Sequence, residues 1–225
     1  MSKLSDAIEN LKVRNKQEVF PKGPEPDTKE QPKLTKDMFW RVFKDVLGVD
    51  KYIISSNNKK VAYTTFKYFL QIEDFNKYKI ISSVPDLKKG LLIYGTNGIG
   101  KSFLFDSLHK VGRELLNYGY NDFWFNQISA ISFVEDYMKL KADFNLQDYY
   151  RGVLYIDDLG LEKKAFNKNE LIGELLFERH RRGKKTFVTT NIDPNEIHLR
   201  YGNAIGDRLP EMFNIIKWEG ESYRK

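Results

Sequence analysis

The segment "LLIYGTNGIGKS", residues 91–102, places an apolar run directly before glycines, a lysine and a serine at fixed spacing. The spacing is G-x-x-x-x-G-K-S, the phosphate-binding loop (P-loop) of many nucleotide-binding proteins. Glycines let the main chain curl so that its N–H groups face phosphate oxygens, and the following helix adds its positive end. Lys101 supplies a point charge to the terminal phosphates, and Ser102 offers its hydroxyl to Mg²⁺. The segment therefore predicts a site for ATP and Mg²⁺ between a strand and a helix.

The predicted nucleotide-binding residues are consecutive loop positions. They are Gly95, Thr96, Asn97, Gly98, Ile99, Gly100, Lys101, Ser102 and Phe103. A chance glycine-rich turn is the alternative interpretation. The apolar strand before the loop and the amphipathic helical pattern after it both disfavour that alternative.

A second motif, "VLYIDDLG" at residues 153–160, has four apolar residues that end in two carboxylates. This is the Walker B arrangement, in which the first carboxylate, Asp157, holds Mg²⁺ and the second, Asp158, directs the attacking water. Asp158 has a shorter reach than the glutamate of many ATPases, so we expect slow hydrolysis. An ordinary Asp-Asp-Leu-Gly turn after a buried strand is the alternative, and the upstream P-loop weakens it.

A polar residue, Asn191, ends the apolar strand pattern "TFVTTN" at residues 186–191. If this strand lies between the two that carry the P-loop and Asp157, its tip faces the terminal phosphate and the attacking water. We therefore predict that Asn191 is a sensor of the terminal phosphate. Taken alone, the same letters are an ordinary exit from a strand into a turn.

Short apolar runs alternate with longer helical patterns from residue 90 onward, which predicts a parallel sheet with helices on both faces. The predicted strands are residues 91–94, 122–126, 153–157, 185–191 and 213–218. The predicted helices between them are residues 102–117, 130–141, 168–182 and 194–209, the last of these interrupted. The fold class is therefore α/β, a three-layer P-loop NTPase with five parallel strands. Residues 83–225 form the predicted ATPase core, and residues 36–82 a helical lead-in.

Composition limits the chemistry and the location of the chain. The 225 residues include no cysteine, which excludes disulfides, thiolate metal sites and cysteine nucleophiles. No run approaches the ~20 apolar residues of a membrane span, and the N-terminus lacks an apolar signal core. We expect a cytoplasmic protein without a membrane partner. The net charge of +6 is compatible with phosphate contacts but does not identify them.

The N-terminal region, residues 1–35, is predicted to lie outside the ATPase core. Residues 1–17 place apolar side chains at helical spacing, and residues 21–32 are rich in proline and charge. This predicts one short amphipathic helix followed by a flexible linker. Two interpretations of residues 1–35 stay open: a frayed tail, or a docking segment for a partner protein.

The order of motifs resembles the DnaC/IstB group of AAA+ ATPases, which are helicase loaders and transposition helpers. The resemblance rests on "GTNGIGKS", "VLYIDDLG", "TTN", "RYGNAIGDRL" (residues 200–209) and "GESYR" (residues 220–224), and it covers residues 88–225. It implies an AAA+/ASCE core without a C-terminal lid domain. It also implies that Arg208 is an arginine finger presented to a neighbouring subunit's nucleotide in a head-to-tail homo-oligomer. Arg200 is a second candidate for that role.

The resemblance further implies a contact with single-stranded DNA through the helix between the second strand and the Walker B strand. The matching residues here are Tyr137, Lys139 and Lys141. An aromatic ring beside cations suits stacking on bases and neutralisation of phosphates. The residues alone favour a plainer interpretation, in which Tyr137 belongs to the core face and the lysines to a solvated edge.

Three functional hypotheses follow from these expectations. The first is a DnaC-like replicative helicase loader that hydrolyses ATP and assembles on single-stranded DNA. The second is an IstB-like helper ATPase whose partner is a transposase. The third, of another class, is a nucleotide-gated binding switch with little turnover. A small-molecule kinase is disfavoured because neither an acceptor site nor an arginine-bearing lid is evident.

Overall fold

A computed structural model describes residues 33–48 and 52–223 of the chain. In this part of the chain, five strands form one parallel sheet in the order β2-β3-β4-β1-β5. They are β1 (Gly90–Gly95), β2 (Asn126–Ser129), β3 (Leu154–Leu159), β4 (Thr186–Thr190) and β5 (Phe213–Trp218). The predicted parallel sheet is confirmed, and β4 lies between β3 and β1 as the sensor prediction requires.

Helices occupy most of the sequence between these strands. They are α1 (Lys36–Leu47), α2 (Lys59–Phe69), α3 (Lys101–Leu116), α4 (Ala130–Leu140), α5 (Leu171–Arg181), α6 (Pro194–Tyr201), α7 (Asn203–Gly206) and α8 (Leu209–Met212). The predicted last helix is thus three short helices, and no lid domain follows β5 within the described residues. None of the helices in residues 33–48 and 52–223 has the length and apolar character needed to span a bilayer. The predicted helix in residues 1–17 and the predicted linker lie outside the described residues.

Two apolar cores lie on opposite faces of the sheet. Leu91 belongs to one cluster and its neighbour Leu92 to the other, because successive strand side chains point to opposite faces. The first cluster joins α1, α2 and α3 to the sheet, and the second joins α4, α5 and the helices after β4. The three-layer prediction is therefore confirmed. The helical lead-in shares its core with α3, through aromatic side chains that include Phe39 and Phe66.

The predicted second strand is wrong in position. Residues 122–126 were expected to be extended, but Asn121–Phe123 form a 3₁₀ turn and the strand runs from Asn126 to Ser129. Phe123 and Phe125 are buried in the first core, so they anchor the chain before the sheet begins. Pairing begins where the Asn126 N–H donates to the carbonyl of Val153, at 2.9 Å. Apolar letters alone do not distinguish such an anchor from a strand.

Neither edge of the sheet offers a long, open strand to another chain. At one edge β2 has four residues. At the other, the residues before β1 lie along β5: Ile81 bridges antiparallel to Ile216, and the Ser82 N–H donates to the Ile215 carbonyl at 2.9 Å. Asn214 fixes this segment further, because its side-chain amide donates to the Asp86 carbonyl at 2.8 Å. Little of the main chain of β5 is left open to another strand.

Candidate nucleotide-binding site

The P-loop connects the end of β1 to the first turn of α3. Gly95 lies close to the end of β5, and a Cβ atom there would stand 2.0 Å from the Trp218 carbonyl oxygen. Only glycine fits this approach of two main chains. Gly100, with a φ of 98°, is the N-cap of α3, so the helix N-terminus opens directly onto the loop. The free N–H groups at that end attract anions such as phosphate.

Lys101 lies inside the loop and is buried. Its Nζ donates to the Gly95 carbonyl at 2.9 Å, the Thr96 carbonyl at 2.8 Å and the Asn191 Oδ1 at 2.8 Å. The predicted sensor residue therefore contacts the predicted phosphate-binding lysine. The contact arises because β4 and β1 are adjacent and parallel, so their carboxyl ends meet at one edge.

Asp157 lies at the same edge, at the end of β3. A single oxygen, Oδ1, accepts from Ser102 Oγ at 2.8 Å, from the Tyr155 hydroxyl at 2.7 Å, from the Asp158 N–H at 3.0 Å and from the Thr189 hydroxyl. Mg²⁺ in nucleotide sites binds one or two protein oxygens together with phosphates and waters. A serine hydroxyl and a carboxylate held side by side fit that donor set. Ser102 and Asp157 are therefore the residues that would hold the metal.

Burial and the negative charge of Asp157 raise the pKa of two neighbouring groups, Asp106 and Tyr155. Asp106 lies one turn beyond Ser102 on α3, where burial, and then the charge of Asp157, raises the pKa of its carboxyl group. Tyr155 is more deeply enclosed, and burial followed by the Asp157 charge raises the pKa of its phenol. Tyr155 therefore stays a neutral hydrogen-bond donor to the carboxylate at physiological pH.

Asp158 occupies an unusual backbone conformation. Its φ is 55°, and the pairing of β3 with β4 shifts register between Ile156 and Leu159, an irregularity of the kind that a β-bulge produces. Left-handed geometry costs a non-glycine residue about 1–2 kcal/mol. Bulges often redirect a side chain beside an active site, and here Asp158 lines the cavity that the P-loop bounds.

That cavity has a volume of about 470 Å³ and extends beyond the phosphate loop. Its remaining walls come from distant parts of the chain: Tyr52, Ile53, Asn58, Leu161, Trp218 and Tyr223. The Tyr52 ring stacks on Phe103, with centroids 5.6 Å apart and planes 9° from parallel. Asn58 donates to the Ile53 carbonyl at 2.8 Å and so shapes the wall. Flat aromatic and aliphatic walls beside a phosphate loop suit a nucleotide base.

Sequence reasoning missed these wall residues. No motif connects residues 52–58 with the P-loop, and Tyr223 was noted only within "GESYR". In the structure, the Tyr223 N–H donates to the Gly98 carbonyl at 2.9 Å, and its hydroxyl lies 3.0 Å from Ser55 Oγ. The segment after β5 therefore crosses from the P-loop to the lead-in at the mouth of the cavity.

The two arginines of "RYGNAIGDRL" lie in different environments. Arg208 donates to the Ala204 carbonyl and lies over the Phe177 ring, 5.5 Å from its centroid. Arg200 binds the turn after β3 through the carbonyls of Gly160 and Glu162. Neither arginine lines the nucleotide cavity of its own chain, as far as the described residues reach.

The predicted DNA-contacting residues lie at the C-terminal end of α4. Lys139 and Lys141 are exposed, whereas Tyr137 is half-buried. The Tyr137 ring packs edge-on against Phe144, with centroids 5.5 Å apart, and contacts Phe166 at 6.1 Å. The Tyr137 ring therefore packs against its own chain, while Lys139, two positions along the helix, points to a different side.

The chain is similar in sequence to one class of replication protein. No protein-family profile matches the chain. The chain is similar to "Replicative helicase loader DnaI" of Bacillus subtilis (strain 168), with 27% identity over 215 residues. The match covers 87% of this chain and 64% of DnaI, so the chain spans less than two thirds of that relative's length.

Solved structures share the fold. The DnaC helicase loader aligns with a TM-score of 0.56 and 20% identity, covering 82% of this chain and all of that one. The replication initiator DnaA bound to AMPPCP and single-stranded DNA aligns with a TM-score of 0.52 and 16% identity, covering 78% of this chain and 50% of that one.

Proposed function

We propose that the chain is an ATPase that acts in DNA replication by loading a replicative helicase. It resembles DnaC-like AAA+ helicase loaders in sequence and in fold, as its motifs predict. One observation carries the ATPase proposal: Lys101 Nζ meets Asn191 Oδ1 at 2.8 Å, beside the Ser102–Asp157 pair. Phosphoryl transfer needs these groups at one point. The loader role rests on the similarity to DnaI, whose name states that function.

In the proposed reaction, water attacks the γ-phosphorus of ATP while the bond to the β,γ-bridging oxygen breaks, which yields ADP and phosphate. Lys101 and the P-loop amides hold the phosphates. Asp158 orients the attacking water, and Asn191 contacts the terminal phosphate. Mg²⁺ bound beside Ser102 and Asp157 would neutralise charge on the β- and γ-phosphate oxygens. The shorter reach of an aspartate at position 158 accounts for the slow turnover that we expect.

The proposed assembly is a head-to-tail homo-oligomer, in which Arg208 of one subunit stabilises the transferred phosphoryl group in the next. Its position away from the nucleotide cavity of its own chain supports a role in trans. A finger supplied in trans increases turnover about 10³–10⁵-fold in well-studied systems. Such a contact is heterologous, because one face of the subunit meets a different face of its neighbour.

We propose that the subunits assemble on single-stranded DNA. Lys139 and Lys141 would neutralise phosphates, and Tyr137 would offer a ring to a base. The exposure of both lysines supports this contact. The helicase itself would dock on residues 1–35, of which residues 1–32 lie outside the described structure.

ATP turnover, measured with and without single-stranded DNA, tests the ATPase proposal. We expect stimulated hydrolysis that falls roughly 10²–10³-fold in Lys101→Ala, because a preorganised charge on the transferred phosphate is lost. In Arg208→Ala, hydrolysis by the assembly should be lost while ATP binding by the isolated subunit persists. Lys110→Ala, which removes an exposed lysine from the same helix, is the matched control. Binding of ATP without turnover under any condition would instead support the nucleotide-gated switch.

A loading assay tests the partner. Hexameric replicative helicase is mixed with single-stranded DNA coated by single-strand-binding protein, and unwinding of a downstream duplex is followed with and without this chain. We expect the chain to increase unwinding in an ATP-dependent manner. Stimulation of a transposase, with no effect on the helicase, would replace the loader proposal by the transposition helper.

A further inference from the structure

A buried polar cluster supports the turn that follows Asp158. Its centre is Glu162, whose side chain is 2% exposed. One carboxylate oxygen accepts from the Gly160 N–H at 2.8 Å, and the other accepts from Arg200 Nη2 at 3.1 Å and from the Tyr201 hydroxyl. The carboxylate therefore ties the loop after β3 to the last turn of α6.

Arg200 completes the cluster from the other side. Its guanidinium donates to the carbonyls of Gly160 and Glu162, and its Nε lies 3.7 Å from a carboxylate oxygen of Glu170. Both main-chain polar groups of Gly160 are thus held: the N–H by Glu162 and the carbonyl by Arg200. A planar guanidinium can hold two acceptors in a fixed geometry, which a lysine cannot.

The turn that this cluster holds, residues 158–161, begins at Asp158 and therefore influences the direction of the Asp158 side chain. Asp158 has a left-handed backbone, and Gly160, two residues later, has a φ of 95°. The Leu161 N–H donates to the Asp158 carbonyl at 3.1 Å, which closes the turn. Strained conformations of this kind persist only where the surroundings hold them. From outside the loop, Arg200 and Tyr201 of α6 hold Gly160 and Glu162. Thr190 of β4 adds one bond, because its hydroxyl donates to the Leu159 carbonyl at 2.6 Å.

We propose that Arg200 and Glu162 are positioning residues that keep Asp158 aimed at the attacking water of its own active site. Arg200 therefore acts within its own subunit, whereas Arg208, eight residues later, acts on the neighbour. This inference rests on the proposed ATPase function. It replaces the expectation that Arg200 is a second finger, because both terminal nitrogens of its guanidinium already bind its own chain at Gly160 and Glu162.

The first test compares Arg200→Ala with the unmodified chain in ATP binding, in turnover and in hydrogen exchange. A displacement of about 1 Å at a reacting group costs about 10²-fold in rate, so we expect kcat to fall roughly 10–100-fold while KM and the Kd for ATP stay within about twofold. Amide exchange in residues 158–162 should accelerate at least about tenfold. Arg181→Ala is the matched control, since Arg181 pairs with Glu178 at 2.9 Å on the exposed part of α5. Arg200→Lys, which keeps the charge but loses the fork, serves if Arg200→Ala does not fold.

A mixing experiment separates action in cis from action in trans. Subunits carrying Lys101→Ala bind no nucleotide productively but keep both arginines. Mixed with them, Arg208→Ala subunits should regain hydrolysis, because a neighbour supplies the finger. Arg200→Ala subunits should not, because the defect lies in their own turn.

Each outcome decides the proposal. Recovery of Arg200→Ala activity on mixing would overturn it and make Arg200 a finger. Unchanged exchange in residues 158–162 would also overturn it, because the turn would then be held without the cluster. If the unmodified chain shows no turnover, the proposed ATPase function fails, and the exchange measurement still tests whether the cluster holds the turn.

Discussion

The hydroxyl of Tyr155 offers the most direct test of how Asp157, the proposed metal ligand, is held. It donates to Asp157 Oδ1 at 2.7 Å and lies 2.8 Å from the Thr189 hydroxyl. The ring itself stacks on Phe105, with centroids 4.4 Å apart and planes 14° from parallel. Tyr155→Phe keeps this stack and removes only the hydroxyl. The substitution therefore changes the orientation of the carboxylate with little change in packing.

The expected size of the effect follows from the number of donors. A hydrogen bond to a charged group contributes about 1.5–3 kcal/mol. Since Ser102, Thr189 and the Asp158 N–H still bind the same oxygen, we take the lower end of that range. This corresponds to roughly tenfold weaker Mg²⁺ binding, within the 10–100-fold losses typical of outer-shell changes.

The assay is a Mg²⁺ titration of the chain bound to a fluorescent ATP analogue. We expect Tyr155→Phe to raise the Mg²⁺ midpoint about tenfold while the affinity for metal-free nucleotide is unchanged. Tyr68→Phe is the control, because the Tyr68 hydroxyl donates to the Lys89 carbonyl, away from the site. A midpoint within twofold of the unmodified chain, or an equal shift in the control, would refute the reasoning.

Three further predictions concern stability and turnover. Arg179→Met should lower the free energy of unfolding in urea by about 3–5 kcal/mol, because a buried guanidinium that holds four main-chain carbonyls is lost; a loss under about 1 kcal/mol would contradict this. Burial, and then the charge of Arg113, lowers the pKa of His109, so the unfolded chain binds a proton first and stability is lost as the pH falls below about 6.5. Unfolding measured from about pH 7 to pH 5 should depend less on pH in His109→Phe, and an unchanged slope would exclude His109 as the source. Asn191→Ala should reduce kcat roughly 10²–10³-fold with little change in ATP affinity, because an oriented polar group at the transferred phosphate is lost; a parallel loss of affinity would make Asn191 a binding residue only.

The phosphate end of the site is predictable from the sequence because parallel strands end at one edge. Once strands carrying Gly95, Asp157 and Asn191 are assigned to one parallel sheet, their carboxyl ends must lie together. The order of motifs was therefore sufficient to predict that Asn191 lies at the phosphate end of the site. The motifs at the ends of the predicted strands therefore specify this part of the site.

The cavity walls could not be predicted in the same way. Tyr52 and Tyr223 reach the P-loop from opposite ends of the described chain, and no periodic pattern reports a contact between such distant segments. Tyr155 is a different case, since a strand repeats every two residues and so places Tyr155 on the same face as Asp157. The strand pattern contained this information, but a tyrosine within an apolar run is ordinarily interpreted as core.

The two arginines illustrate a further limit. The resemblance to the DnaC/IstB group made Arg208 the arginine finger and Arg200 a second candidate for the same role. Their environments differ because Glu162 is buried beneath Arg200, and burial of a carboxylate cannot be inferred from its spacing to an arginine 38 residues away. Pairing between charges this far apart in sequence can be identified only from the folded structure.

The short β2 edge and the covered β5 edge bear on how the proposed assembly would come apart. Subunits gathered on one DNA strand would be at high local concentration, and a long open strand edge would let them join by main-chain pairing. In the described residues, β2 is short and β5 lies beneath residues 81–86. In the proposed assembly, neighbouring copies would therefore meet mainly through side chains. Contacts of that kind dissociate without opening any subunit's sheet.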